Sequence, residues 1–159
     1  VAKRFLLHAK ERYRPDVLRP LAVQLAAAIE ATGLLARVDV VVPVPSTLAA
    51  RLRRGFEPAR ELAREVALAE EVAFRPRTLR RRRLSGRAFK GLGAADRWKR
   101  ARDEIVVRER LPGLRVLLVD DVMTTGATVA ACARALRDGG ATEVRAAIWA
   151  RTPAHQVRL

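Results

Sequence analysis

Two adjacent carboxylates, Asp120 and Asp121, follow directly on the apolar run Val116, Leu117, Leu118 and Val119 and precede Thr124, Thr125, Gly126, Ala127 and Thr128. That order suits a ligand carrying both hydroxyls and a phosphate. Carboxylates accept from neighbouring hydroxyl groups and oppose positive charge. Small residues let the backbone approach a phosphate, and the N–H groups that open the next helix donate to it together with three hydroxyls. The apolar run is short, branched and uncharged, which predicts a central parallel strand covered on both faces. Its carboxyl end is where open α/β sheets collect ligands. A turn with a helix cap accounts for the Asp-Asp or the Thr-Thr-Gly taken singly. It does not account for strand, acids, hydroxyls, glycine and helix in that order within 13 residues.

Other phosphate loops do not fit. A P-loop needs Lys after its second Gly, and the chain has no GxxxxGK[ST] string. Gly91 and Gly93 are followed by Asp96 where a dinucleotide fingerprint needs Gly or Ala, and no strand precedes them.

Residues 116–128 resemble the phosphoribosyl pyrophosphate (PRPP) signature of type I phosphoribosyltransferases. The string VPVPSTLAARLRRGF at residues 42–56 is similar to the VPVP…RxRGF segment of the ComF-like, competence-associated branch, as are LRRRR at 79–83 and the segment at 131–152. The resemblance implies an open, mostly parallel α/β sheet flanked by helices, the Rossmann-like type I phosphoribosyltransferase fold. It implies magnesium-dependent transfer of phosphoribosyl from PRPP to an amine or base, with release of pyrophosphate. By the same resemblance Asp120 and Asp121 are the catalytic acidic pair, and Thr124, Thr125, Gly126, Ala127 and Thr128 take the 5′-phosphate. Ser46, Thr47, Arg51, Arg53, Arg54 and Gly55 lie toward the pyrophosphate, and magnesium rides on the diphosphate with no metal ligated directly by the protein. A glycine among alternating cations also suggests close backbone approach there. For residues 80–100, with Arg81, Arg83 and Arg97, two readings stand: a mobile lid, or a solvated basic surface. The family pattern in this segment is kept at Leu92 and Arg97 and lost at Gly86, Phe89 and Arg100. Polar groups in a closed pocket carry much of the discrimination between substrates, so acceptor recognition departs from the family's.

The elements that must position these residues can be read from periodicity. Apolar residues three to four apart predict helices over 15–32, ended by Gly33, over 58–69, and over 128–137, ended by Gly139 and Gly140. Strands are expected at 38–42, 72–74, 105–108, 115–120 and 144–150. The 159 residues suffice for one domain with its own core, with an N-terminal helical segment over 1–37.

Composition narrows the partners. A net charge of +15 and a pI near 11.6 point to polyanions, and only four of the 32 basic residues are Lys. Aromatic residues are 4% of the chain, too few for binding single strands chiefly by base stacking. Two function classes therefore stand: a phosphoribosyl-transferring enzyme, and a ComF-type accessory of DNA uptake or processing. The accessory would keep the PRPP pocket and hold single-stranded DNA and DNA-uptake proteins on its basic surface. An oligomer is compatible with both. One Cys and two distant His residues exclude an internal disulfide and the usual structural zinc site. No apolar run reaches the ~18 residues of a membrane span, and a cytoplasmic location is expected. Cys132 falls in register with Val129, Ala133 and Leu136, which reads as a buried small hydrophobe. His8 and His155 read as surface residues, and Trp98 and Trp149 as packing anchors.

Overall fold

The structure is a computed structural model that describes residues 15–34, 37–82 and 104–151, with side chains from residue 20 onward. Its centre is a run of β-branched residues. Strand β1 (Val40–Pro43) is buried at all four positions. It lies between β2 (Ala73–Phe74) and β5 (Arg115–Met123), and β6 (Glu143–Arg151) closes the far edge of β5. All three pairings are parallel, in the order β2-β1-β5-β6. Strands buried on both faces lose the usual apolar–polar alternation, which is why Val116 to Val119 read as a continuous apolar run.

Alternate residues of the central strands feed two cores. Val41, Leu117 and Val119 face α1 (Pro15–Ala31) and α3 (Pro58–Ala69), packing against Leu21, Leu25, Ile29, Leu62 and Val66. Val40, Val42, Val116 and Leu118 face α4 (Ala127–Asp138) and a separate antiparallel pair, β3 (Leu79–Arg81) with β4 (Ile105–Val107). Helix α3 starts on Pro58, whose fixed φ suits a first helical turn, and it buries Ala59, Leu62, Ala63, Val66 and Ala67 at helical spacing. Fully burying a side chain such as Leu62 stabilises the fold by ~2–3 kcal/mol. At the opposite end of the sheet from the Thr/Gly loop, Asp39 accepts from the backbone N–H and the Nε of Arg115 at 2.8 and 2.9 Å, fixing the starts of β1 and β5 together.

Three expectations are corrected. The RLRRGF string, for which no element was expected, is largely helical: residues 48–54 form a short helix, α2 (Leu48–Arg54). Thr47 caps it by accepting from the Ala50 N–H at 3.1 Å, the three arginines fill its last turn, and Gly55 ends it at φ 73°. Cations are favourable beside the carbonyl end of a helix, and a left-handed cap favours glycine. A Cβ at Gly55 would meet nothing within 4 Å, so the turn and not a close approach selects glycine there. Second, β5 does not stop at Asp120 but runs on to Met123, because its ladder with β6 continues to Arg151. Third, Arg80 and Arg81, read only as part of the basic segment 80–100, are strand residues, paired with Val106 and Ile105. Arg83, Gly86, Phe89, Leu92, Arg97, Trp98 and Arg100 lie outside the described residues, as do His8, His155 and residues 1–14.

Candidate functional site

The strand order reverses between β1 and β5. The connection leaving β1 leads to β2 on one side, and the connection leaving β5 leads to β6 on the other. Their carboxyl ends therefore open a crevice at the switch point, flanked by the segment after Pro43 and by the Thr/Gly loop before α4. The Val44 N–H donates to the Val119 carbonyl at 2.9 Å and holds the first segment against β5.

Asp120 lines a small cleft of about 40 Å³ together with Val122, Met123, Thr124, Thr125, Gly126, Ala127, Thr128 and Val129, all from this one loop and its flanks. The pleat of β5 sends Val116 and Leu118 toward α4, and Leu117 and Val119 toward α1 and α3. Past Val119 that alternation is not kept, for Val122, due on the α4 face, packs with Leu117 and Val119 against the α1–α3 core. Only Asp120 of the pair reaches the cleft lining. Both carboxylates are 9% exposed. One oxygen of each is held by the backbone: the Asp121 N–H donates to Asp120 Oδ1 and the Val122 N–H to Asp121 Oδ1, both at 2.9 Å.

The loop delivers a helix start to the same cleft. Gly126 sits at φ 78° as the residue preceding α4 and, as glycine, supplies no side-chain cap of its own. The first helical bond runs from the Ala130 N–H to the Gly126 carbonyl, so the N–H groups ahead of it fall at the helix opening. Thr124 and Thr125 are exposed, and Thr125 Oγ1 accepts from the Ala127 N–H at 3.4 Å. Cys132 lies one turn and a half into α4, fully buried, and burial pushes its thiol up to about 12, which leaves it a packing residue and no nucleophile.

A larger cleft of about 580 Å³ opens beside the first segment. Ser46 and Arg51 line it, whereas Thr47, Arg53, Arg54 and Gly55 do not, since the turn of α2 carries them elsewhere and the Thr47 hydroxyl is engaged as its cap. Arg81 stands between the two clefts. Its Nε donates to the Pro45 carbonyl at 3.0 Å, one terminal nitrogen to Glu104 at 2.7 Å, and the other to Thr128 Oγ1 at 3.1 Å. One guanidinium thus fixes both walls of the crevice. Its acceptors are 23 to 47 residues away, beyond the reach of spacing arguments. Arg60, Arg77 and Arg108, also on the larger cleft, carried no sequence signal beyond their charge. Among the described residues no group of three or more His, Cys, Asp and Glu could hold a metal.

Residues 24–158 match the phosphoribosyl transferase domain family. The chain belongs to that family. Within it, the type I, ComF-like branch implied by the VPVP…RGF string is supported at modest identity. Over 131 residues the chain is 31% identical to DNA utilization protein YhgH of Salmonella typhi and of Salmonella typhimurium, covering 82% of this chain and 56% of each relative. It is 39% identical over 94 residues to a ribose-phosphate pyrophosphokinase of Methanopyrus kandleri, covering 57% of this chain and 26% of that one. The chain thus spans about half the length, or less, of the curated relatives it matches. Among solved structures it resembles a glutamine PRPP amidotransferase from B. subtilis with a TM-score of 0.55 at 25% identity, covering 83% of this chain and 26% of the other. The parallel sheet with flanking helices is the type I phosphoribosyltransferase fold.

Proposed function

We propose that the crevice binds PRPP and that the protein transfers its phosphoribosyl group to an amine or base, releasing pyrophosphate. The observation that carries this reading is the meeting, at the switch point of the sheet, of the Asp120 carboxylate and the start of α4 in one cleft. The 5′-phosphate lies on Thr124, Thr125, Gly126, Ala127 and Thr128, where backbone N–H groups and the positive end of the helix dipole favour an anion. Asp120 accepts from a ribose hydroxyl. Asp121, at the same end of the strand, is the second carboxylate of the signature. The diphosphate lies toward Ser46 and Arg51, with Thr47, Arg53, Arg54 and Gly55 shaping that turn.

In the reaction the bond from C1 to the diphosphate oxygen breaks with its electron pair leaving on pyrophosphate. A lone pair of the acceptor nitrogen forms the new bond to C1, and that nitrogen gives up a proton to water or to the departing pyrophosphate. Positive charge builds on the ribose ring in between, and fixed carboxylates nearby oppose it at no cost of reorganisation. The Ser46 hydroxyl and the Asp120 carboxylate are the oxygen donors that line the two clefts, and so few protein groups suit a magnesium ion that would take most of its shell from diphosphate and water. When bound, that ion neutralises charge on the departing diphosphate.

A second reading has its own support: the Salmonella relatives are named DNA utilization proteins, and this chain carries a net charge of +15. In it the pocket serves as a binding site, and the basic surface holds single-stranded DNA and DNA-uptake proteins in the cytoplasm. The test is calorimetric titration of PRPP with magnesium into the wild type and into Asp120→Asn/Asp121→Asn, with a screen of bases and amines for pyrophosphate release. Saturable binding that weakens at least tenfold in the variant, with turnover, supports the enzyme. Binding without turnover on any acceptor supports the second reading. Equal affinity of wild type and variant refutes the donor site itself.

A further inference from the structure

The larger cleft carries charge that the donor site does not use. Six guanidinium groups, Arg51, Arg60, Arg77, Arg80, Arg81 and Arg108, come to its walls from separate parts of the chain, and Glu57 is the only carboxylate among the lining residues. Glu57 faces Arg60 at 3.7 Å, and Arg81 is committed to Pro45, Glu104 and Thr128. The other four have no ion pair or side-chain hydrogen bond among the described residues. Much of the remaining lining is apolar, including Pro43, Pro45, Pro76 and Leu79, and no aromatic ring is present.

We infer that this cleft is a second anion site, which recognises the phosphate groups of a ligand other than the phosphoribosyl donor. The inference rests on the proposed function only in giving Ser46 and Arg51 to the donor's diphosphate. A concave wall of one charge over a low-dielectric floor focuses its field, and cations gathered there repel one another until an anion offsets them. Guanidinium forks match phosphate oxygens in pairs. With Arg51 turned to the diphosphate, Arg77, Arg80 and Arg108 remain together at the β3–β4 side: Arg80 lies on β3, Arg77 just before it, and Arg108 just after β4, its N–H bonded to the Thr78 carbonyl at 2.8 Å. Three such groups suit a short run of phosphates. The absence of a stacking ring in the lining directs recognition to those phosphates and away from a base. A nucleoside polyphosphate and a phosphodiester backbone share this chemistry.

The probe is inorganic tripolyphosphate, titrated calorimetrically at about 0.1 M salt with excess magnesium. It is added to the 159-residue wild type and to Arg77→Gln/Arg108→Gln, each with and without saturating PRPP. The expected result is one tripolyphosphate bound per chain in the presence of PRPP, at least tenfold weaker in the variant, with PRPP affinity changed less than threefold. Displacement of tripolyphosphate by PRPP, or equal binding to wild type and variant, overturns the inference. Should PRPP fail to bind while tripolyphosphate binds and responds to the variant, the donor reading fails and this one stands. ADP and a 5′-phosphorylated thymidine decamer distinguish the sources. Tighter binding of the decamer, with a salt dependence of several charges, identifies a strand, and equal or tighter binding of ADP identifies a small ligand. Both keep the cleft as a phosphate site, whereas indifference of both ligands to the variant removes it. Both replaced side chains are exposed, and Arg108→Gln alone, checked by circular dichroism, repeats the measurement should the double variant misfold.

Discussion

Arg81 uses three of its N–H donors within the fold, and its side chain is only 18% exposed. A guanidinium in this setting acts through geometry: it sets the distance between the segment after β1 and the Thr/Gly loop before any ligand arrives. Replacing it with Met removes those bonds and takes the cation away from Glu104, whose side chain is 12% exposed. Arg81→Met should lower the free energy of unfolding by roughly 3 kcal/mol. Arg81→Lys, which keeps the charge but loses the planar fork, should fall between the two. Urea denaturation reads this out, and an unfolding midpoint within error of the wild type would show that the three bonds are incidental. Cys132 is a residue of the opposite kind, for its burial in α4 removes it from chemistry and leaves a small apolar side chain.

Among the elements, the parallel pair β1–β5 decides where the site opens, and it is fastened at its far end by Asp39 and Arg115. The Arg115 guanidinium and backbone N–H beside Asp39 hold its carboxyl at about 2, against a usual value of 3.8. The folded value lies below the unfolded one, so protons favour the unfolded chain. The stabilisation is complete above about pH 4 and disappears as the pH falls through about 2. Asp39→Asn should therefore melt below the wild type at pH 5, and the gap should close as the pH is brought down to 2. A gap independent of pH would assign the effect to packing. Helix α2 shows how an element escapes a periodicity argument. It buries none of its residues, so no apolar stripe marks it, and its signals were the Thr47 cap, a basic last turn and Gly55. Strand β3 escaped for a related reason: a three-residue strand with arginine at two positions offers one buried side chain, Leu79.

At the scale of the whole molecule, +15 charges on 159 residues make self-repulsion a standing cost of the compact state. Raising ionic strength from about 0.05 M to about 0.5 M shortens the screening length from roughly 14 Å to roughly 4 Å. The melting temperature should rise with sodium chloride, and more steeply with phosphate, since an anion held in the proposed sites adds its binding free energy to the folded chain. A melting temperature that falls as salt is added would mean that surface ion pairs outweigh the repulsion.

The sequence by itself determined the central strand, the acidic pair and the Thr/Gly loop, along with helices α1, α3 and α4. Each of these is written in residues close together along the chain, as a run, a period or a cap. Tertiary structure decided that Asp120 alone of the pair lines the small cleft and that Val122 packs into the α1–α3 core. It also turned Arg81 from a member of a charge run into a strut, and gathered arginines from separate segments around one cleft. Those outcomes depend on which strands become neighbours. That is set by burial on both faces of the sheet and by crossovers spanning tens of residues, which no local pattern encodes.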